Sequence, residues 1–163
     1  MVVRVAEQAL ASKATRVVIA TDHADIAHAT RSAGIDTLMT RVDHASGTDR
    51  LAEAAEQLGL TDQTIIVNVQ GDEPLISPAL IGELAMRLAA DPAIHMITAV
   101  HPLHDPALQQ DPNVVKAVLD VTGRALYFSR SPLPCPRGGL RLGQCGGGTQ
   151  HGGCLLWVGQ QRL

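Results

Sequence analysis

Carboxylates, hydroxyls and basic residues stand at three places where a short apolar run gives way to polar residues. The most specific is Gln70-Gly71-Asp72-Glu73-Pro74, which follows directly on Thr64-Ile65-Ile66-Val67-Asn68-Val69. That run reads as a strand, so Asp72 emerges at the sheet's carboxyl edge, where open α/β sheets bind ligands. Gly71 lets the backbone turn sharply and lets a ligand come close. A lone carboxylate there suits Mg²⁺, which takes one or two carboxylates and finds its other ligands in water and substrate phosphates. Asp72 or Glu73 could equally cap the helix that follows.

The second place is Arg41-Val42-Asp43-His44-Ala45-Ser46-Gly47-Thr48-Asp49-Arg50. Ser46-Gly47-Thr48 offers hydroxyls and free N–H groups at a helix start, suited to an anion or a base edge. The plainer alternative is a capped helix entry. The third place is Thr21-Asp22-His23, where Asp22 reads as an N-cap. His23, His28, His44, His95, His101 and His104 lack metal-ligand spacing, and no G-x-S-x-G, Walker A or G-x-G-x-x-G occurs. Cys135, Cys145 and Cys154 are ten and nine residues apart, which fits neither a zinc knuckle nor a redox pair.

Alternating strands and helices must carry these loops. The periodicity predicts helices over Val2–Lys13, His23–Ser32, Gly47–Leu58 and Ser77–Ala90, with Pro78 in the first turn of the last. Strands are predicted over Arg16–Thr21, Asp36–Thr40, Thr64–Val69 and Ile94–Val100. Val114–Leu119 and Arg124–Ser129 flank a turn at Asp120–Gly123 and read as a hairpin. The expectation is an α/β domain with a mostly parallel, Rossmann-like sheet, helices on both faces and an antiparallel edge. The core draws on Val, Ile, Leu, Ala and Met, since no aromatic residue precedes Tyr127.

The 163 residues are 45% hydrophobic and 18% charged, the balance of a globular chain. A net charge of −3 argues against generic nucleic-acid binding, which needs a basic face. No apolar run reaches the roughly 18 residues of a membrane span. Arg4 and Glu7 break the N-terminal apolar stretch, so no signal peptide is read and the expected location is cytoplasmic. Residues 138–163 hold nine of the fifteen glycines, so 137–163 is expected to be a disordered or out-of-frame tail, relieved only by a short apolar patch from Leu155 to Val158.

Four blocks then occur in order: Ala20–His23, Thr40–Glu53 (TRVDHASGTDRLAE), Val67–Pro74 (VNVQGDEP) and Ala125–Arg130 (ALYFSR). Together they resemble the 3-deoxy-manno-octulosonate (Kdo) cytidylyltransferases, continuously from Met1 to about Pro136. The resemblance implies an incomplete nucleotidyltransferase domain over 1–136 that couples CTP with Kdo for lipopolysaccharide synthesis, releasing pyrophosphate and requiring Mg²⁺. It implies Asp72 as the catalytic magnesium ligand, Gln70 against the sugar, Arg130 beside the sugar carboxylate, and Arg41, Ser46 and Gly47 around the cytidine. It also implies a homodimer, with no nucleic acid or membrane partner.

The chain departs from that family at both ends. The initial strand and its basic triphosphate loop are not matched, nor is a late aspartate that supplies a second metal ligand. The expectations are a truncated start, an out-of-frame end, marginal stability and little turnover. Rival readings are a cytidylyltransferase for another sugar acid, such as sialic acid, and a non-catalytic nucleotide-binding or interaction fragment.

Overall fold

The computed structural model describes residues 1–133 and 153–162. The chain divides into two units, one built from Met1–Ile97 with the chain from Trp157, the other from Thr98–Leu156.

In the first unit, α1 (Val2–Ala11) buries Val5 and Ala6 from the stripe its sequence predicts, while Leu10 at the stripe's end stays exposed. The helix stops two residues before Lys13, because Lys13 takes φ 64°, outside the helical region. β1 (Val18–Thr21) and β2 (Asp36–Met39) pair in parallel, from Val18 opposite Asp36 to Thr21 opposite Met39. Between them runs α2 (Ala24–Ser32), which packs on both strands. Its buried Thr30 hydroxyl lies 2.9 Å from the Ile26 carbonyl and 2.7 Å from the Thr37 hydroxyl, so the polar group is satisfied where it enters the core. The N-cap of α2 is His23, whose Nδ1 accepts the Asp25 N–H at 3.3 Å. The sequence places Asp22 there instead; its carboxylate is taken up by Arg50.

α3 (Gly47–Gln57) packs on β1, and Gly59 closes its end at φ 62°, a conformation that costs glycine little. β3 (Ile65–Val69) packs against α4 (Pro78–Ala90). α4 sends Ile81, Leu84 and Leu88 inward at helical spacing, each worth about 1.5–3 kcal/mol when fully buried. α1 covers α4 in turn.

In the second unit, Lys116–Leu119 and Ala125–Ser129 form the expected hairpin; β4 (Met96–Pro102) starts in the first unit and ends in this one. Numbered in chain order, the hairpin strands are β5 and β6. The Asp120 carboxylate accepts the Thr122 hydroxyl and the N–H groups of Thr122 and Arg124, so the turn is tied at its first residue. Those bonds, led by the Thr122 hydroxyl, hold the Asp120 carboxyl below its ordinary range. A short helix that sequence reading leaves unassigned, α5 (Pro106–Gln110), has Asp105 as its cap and Pro106 in its first turn. That cap-then-proline order is the signal for it.

Of the segment expected to hold no element, 137–152 lies outside the described residues, while Gly153–Arg162 forms β7. In the first unit Val158–Arg162 pairs antiparallel with Val69–Ile65; in the second, Gly153 and Cys154 pair with Ala117 and Lys116. Parallel pairing is thus found at β1–β2, whereas β3 has an antiparallel partner. An apolar strand such as β3 needs its backbone groups paired whichever way the neighbour runs.

Candidate functional site

The three polar loops of the first unit converge. β1 and β2 run in parallel, so Asp22 and Thr40 leave the same edge. Arg50, one turn into α3, ties them together: its guanidinium donates to Asp22 Oδ2 at 2.7 Å and to Thr40 Oγ1 at 2.6 Å. The arginine hydrogen bond is the main reason the Asp22 carboxyl sits below its usual range. The loop after β3 joins at Gly47, where a Cβ added to that glycine would stand 3.6 Å from Gln70 Nε2. Ser46-Gly47 and Gln70-Gly71-Asp72, far apart in sequence, therefore border one another.

Asp72 occupies a turn closed by the Glu73 N–H on the Gln70 carbonyl at 3.2 Å. Its side chain is exposed and has no hydrogen-bond or ion-pair partner among the described residues. The N-cap of α4 is Ser77, so neither Asp72 nor Glu73 serves as the helix cap that the sequence left open. Asp72 is free to meet a cation. No group of three or more His, Cys, Asp or Glu side chains gathers for a metal among the described residues, so other ligands would come from water or substrate.

Around Arg41 the loop is pinned by Glu53 of α3. The Glu53 carboxylate accepts the Arg41 N–H at 3.0 Å, the Gln57 amide at 2.9 Å and the ring of buried His44. A carboxylate only accepts, so His44 Nε2 carries the proton. The His44 bond is the largest influence holding the Glu53 carboxyl below its ordinary range, followed by the Arg41 N–H. With its backbone fixed, the Arg41 guanidinium remains 70% exposed, 3.5 Å from Asp43 and 3.8 Å from Glu53. It overlooks an open groove of about 630 Å³ along α3.

Ser46 is the N-cap of α3: its hydroxyl donates to Asp49 Oδ2 at 2.7 Å and accepts the Asp49 N–H at 3.2 Å. The plainer reading of this segment therefore holds for the Ser46 hydroxyl. The N–H groups of Gly47 and Thr48 have no partner among the described residues and stay available at the helix start. Arg130, the remaining predicted site residue, belongs to the second unit. It is exposed just past β6, and its guanidinium donates to the Pro112 carbonyl at 3.0 Å.

Sequence reasoning missed the residues that hold the site residues in place. Arg50, Glu53 and His44 lie inside Thr40–Glu53, where local pattern assigns them no role. For Lys116, a charge inside the apolar run Val114–Val118, the signal was visible, because lysine is almost never fully buried unless paired.

The cytidylyltransferase family profile matches residues 1–141. A 3-deoxy-manno-octulosonate cytidylyltransferase of Verminephrobacter eiseniae (strain EF01-2) is 53% identical over 152 residues, covering 93% of this chain and 56% of that protein. A solved structure of CMP:2-keto-3-deoxy-manno-octonic acid synthetase complexed with CTP superposes with a TM-score of 0.80 at 34% identity, covering 98% of this chain and 61% of that one. The chain thus spans little more than half the length of the relatives it matches.

Proposed function

Because the chain belongs to the cytidylyltransferase family, we propose that it transfers CMP from CTP to Kdo, giving CMP-Kdo and pyrophosphate for lipopolysaccharide synthesis. The observation that carries this reading is the convergence of Gly47 with Gln70 beside Asp72, which has no partner among the described residues. A helix start with free N–H groups, a side-chain amide and an exposed carboxylate are the donors and acceptors that a nucleotide, a sugar and a cation require.

The sugar hydroxyl attacks the α-phosphorus of CTP and gives up its proton to solvent, a new P–O bond forms, and the bond to the pyrophosphate oxygen breaks, so that pyrophosphate carries away the electron pair. No covalent enzyme intermediate is needed; positioning and charge neutralisation dominate. Arg41, Ser46 and Gly47 hold the cytidine side, Ser46 by presenting the helix start it caps. Gln70 contacts Kdo, and Arg130 takes its carboxylate, a geometry that guanidinium matches with paired bonds. Asp72 fits Mg²⁺, being exposed, without a partner among the described residues and in the turn just past the end of β3. When bound, Mg²⁺ would offset charge on the phosphates and the departing pyrophosphate. A cytoplasmic location and a homodimer belong to the same reading. Among the described residues no helix is long and apolar enough to cross a membrane.

Pyrophosphate release from purified chain with CTP and Mg²⁺ tests the proposal. Release should depend on Kdo and not respond to sialic acid. Calorimetric binding of CTP with Mg²⁺, without release under any sugar acid, would overturn transfer in favour of a binding role.

A further inference from the structure

We propose that Lys116 is a positioning residue that clamps Arg130 in place to receive the sugar-acid carboxylate. The inference rests on the reading of Arg130 given above. Lys116 is 2% exposed, and no carboxylate pairs with it among the described residues. Its ammonium instead meets three backbone carbonyls, Asp111 at 2.7 Å, Val114 at 2.8 Å and Arg130 at 2.7 Å. An ammonium has three donors, so its capacity is filled. Burying a cation without a counter-charge is costly, and an apolar side chain of similar length would pack without that cost. What the lysine supplies, and an apolar residue cannot, is the gathering of those carbonyls.

The carbonyls belong to the two segments that hold Arg130. Asp111 and Val114 are the ends of a turn, further tied by the Val114 N–H on the Asp111 carbonyl and the Asn113 N–H on Asp111 Oδ1. Pro112 lies between them, and its carbonyl receives the Arg130 guanidinium at 3.0 Å. One ammonium therefore grips the Arg130 backbone and both ends of the turn on which the Arg130 side chain rests. The rest of the guanidinium stays exposed, pre-ordered for a carboxylate, and ordering before binding removes an entropic cost from binding itself.

The test titrates wild type, Lys116→Met, Lys116→Gln and Arg130→Ala separately with Kdo and with CTP plus Mg²⁺ by calorimetry, with circular dichroism to verify folding. Lys116→Met should weaken Kdo binding by about tenfold or more, as misplacement of a binding group does, and leave CTP within about twofold. Lys116→Gln, which keeps part of the clamp, should recover some of the loss. If Arg130→Ala leaves Kdo binding unchanged, or wild type does not bind Kdo, the reading of Arg130 fails. Hydrogen exchange then still decides the clamp: Lys116→Met must speed exchange at Val114, and unchanged exchange overturns it. If Arg130→Ala weakens Kdo binding and both folded Lys116 variants do not, the positioning role is overturned. Equal losses for Kdo and CTP, or failure of both Lys116 variants to fold, would make Lys116 a stability residue and also overturn it.

Discussion

Asp72 and Glu53 are both acids at the rim of the first unit, and their surroundings give them different work. Asp72 has no hydrogen-bond or ion-pair partner among the described residues, so changing it to asparagine removes no contact seen there. Asp72→Asn should melt with wild type and lose at least about a hundredfold in Kdo-dependent pyrophosphate release, the scale of removing a group that stabilises developing charge. A variant that keeps its activity would remove Asp72 from the chemistry. Glu53 is the opposite case, spent on His44, Arg41 and Gln57. Its folded pKa is depressed, so the stability it adds is present above the ordinary glutamate range and is lost as pH falls through the lowered value. Glu53→Gln should therefore be less stable than wild type at neutral pH, with the gap closing on acidification below about pH 4. Denaturant midpoints measured from pH 7 to pH 3 check this; a gap independent of pH would mean that Glu53 acts by shape alone.

At the scale of elements, α3 is the part that organises the site. Its first turn presents the N–H groups of Gly47 and Thr48, free among the described residues, Arg50 reaches the loops after β1 and β2, and Glu53 secures the loop carrying Arg41. Ser46→Ala removes the cap and should cost about 1 kcal/mol, or roughly 2–4 °C in melting temperature for a domain of this size. A matching fall in CTP affinity would link the cap to the nucleotide. Leu88→Ala, at a fully buried position of α4, should cost about 2–5 kcal/mol; thermal melts measure both. Most such elements were legible in the sequence, because the apolar periodicity in Val2–Leu10 marks a helix and the β-branched run at Ile65–Val67 marks a strand; burial follows in part, with Val5 and Ala6 buried, Leu10 exposed and Ile65–Val67 half-buried. The loops that meet were legible as separate segments, each following a strand. Their meeting was not, since the contact of Gly47 with Gln70 and the reach of Arg50 to Asp22 depend on tertiary placement that no local pattern encodes. Asp22 shows the consequence: local grammar makes it a cap, and an arginine 28 residues on claims it.

Across the whole molecule, the question left by composition is what the glycine-rich C-terminal stretch contributes. Glycine raises the entropy lost on ordering, which is why the sequence argued against any element there. β3 supplies the opposing force. Ile65, Ile66, Val67 and Val69 make it apolar, and an unpaired edge of that kind exposes N–H and C=O groups and invites association. Five residues of β7 pair with it, and each net hydrogen bond is worth about 0.5–1.5 kcal/mol. If that pairing stabilises the first unit, a chain ending at residue 152 should melt at a lower temperature and associate on size-exclusion chromatography as concentration rises. In a strand, neighbouring N–H groups face opposite sides, so one of Gln160 and Gln161 donates towards β3. Proline at both positions removes that donor without shortening the chain, and should reproduce the effect of truncation. If both variants melt and elute as wild type does, β7 adds nothing to the stability of β3, and the glycine entropy has outweighed the ladder.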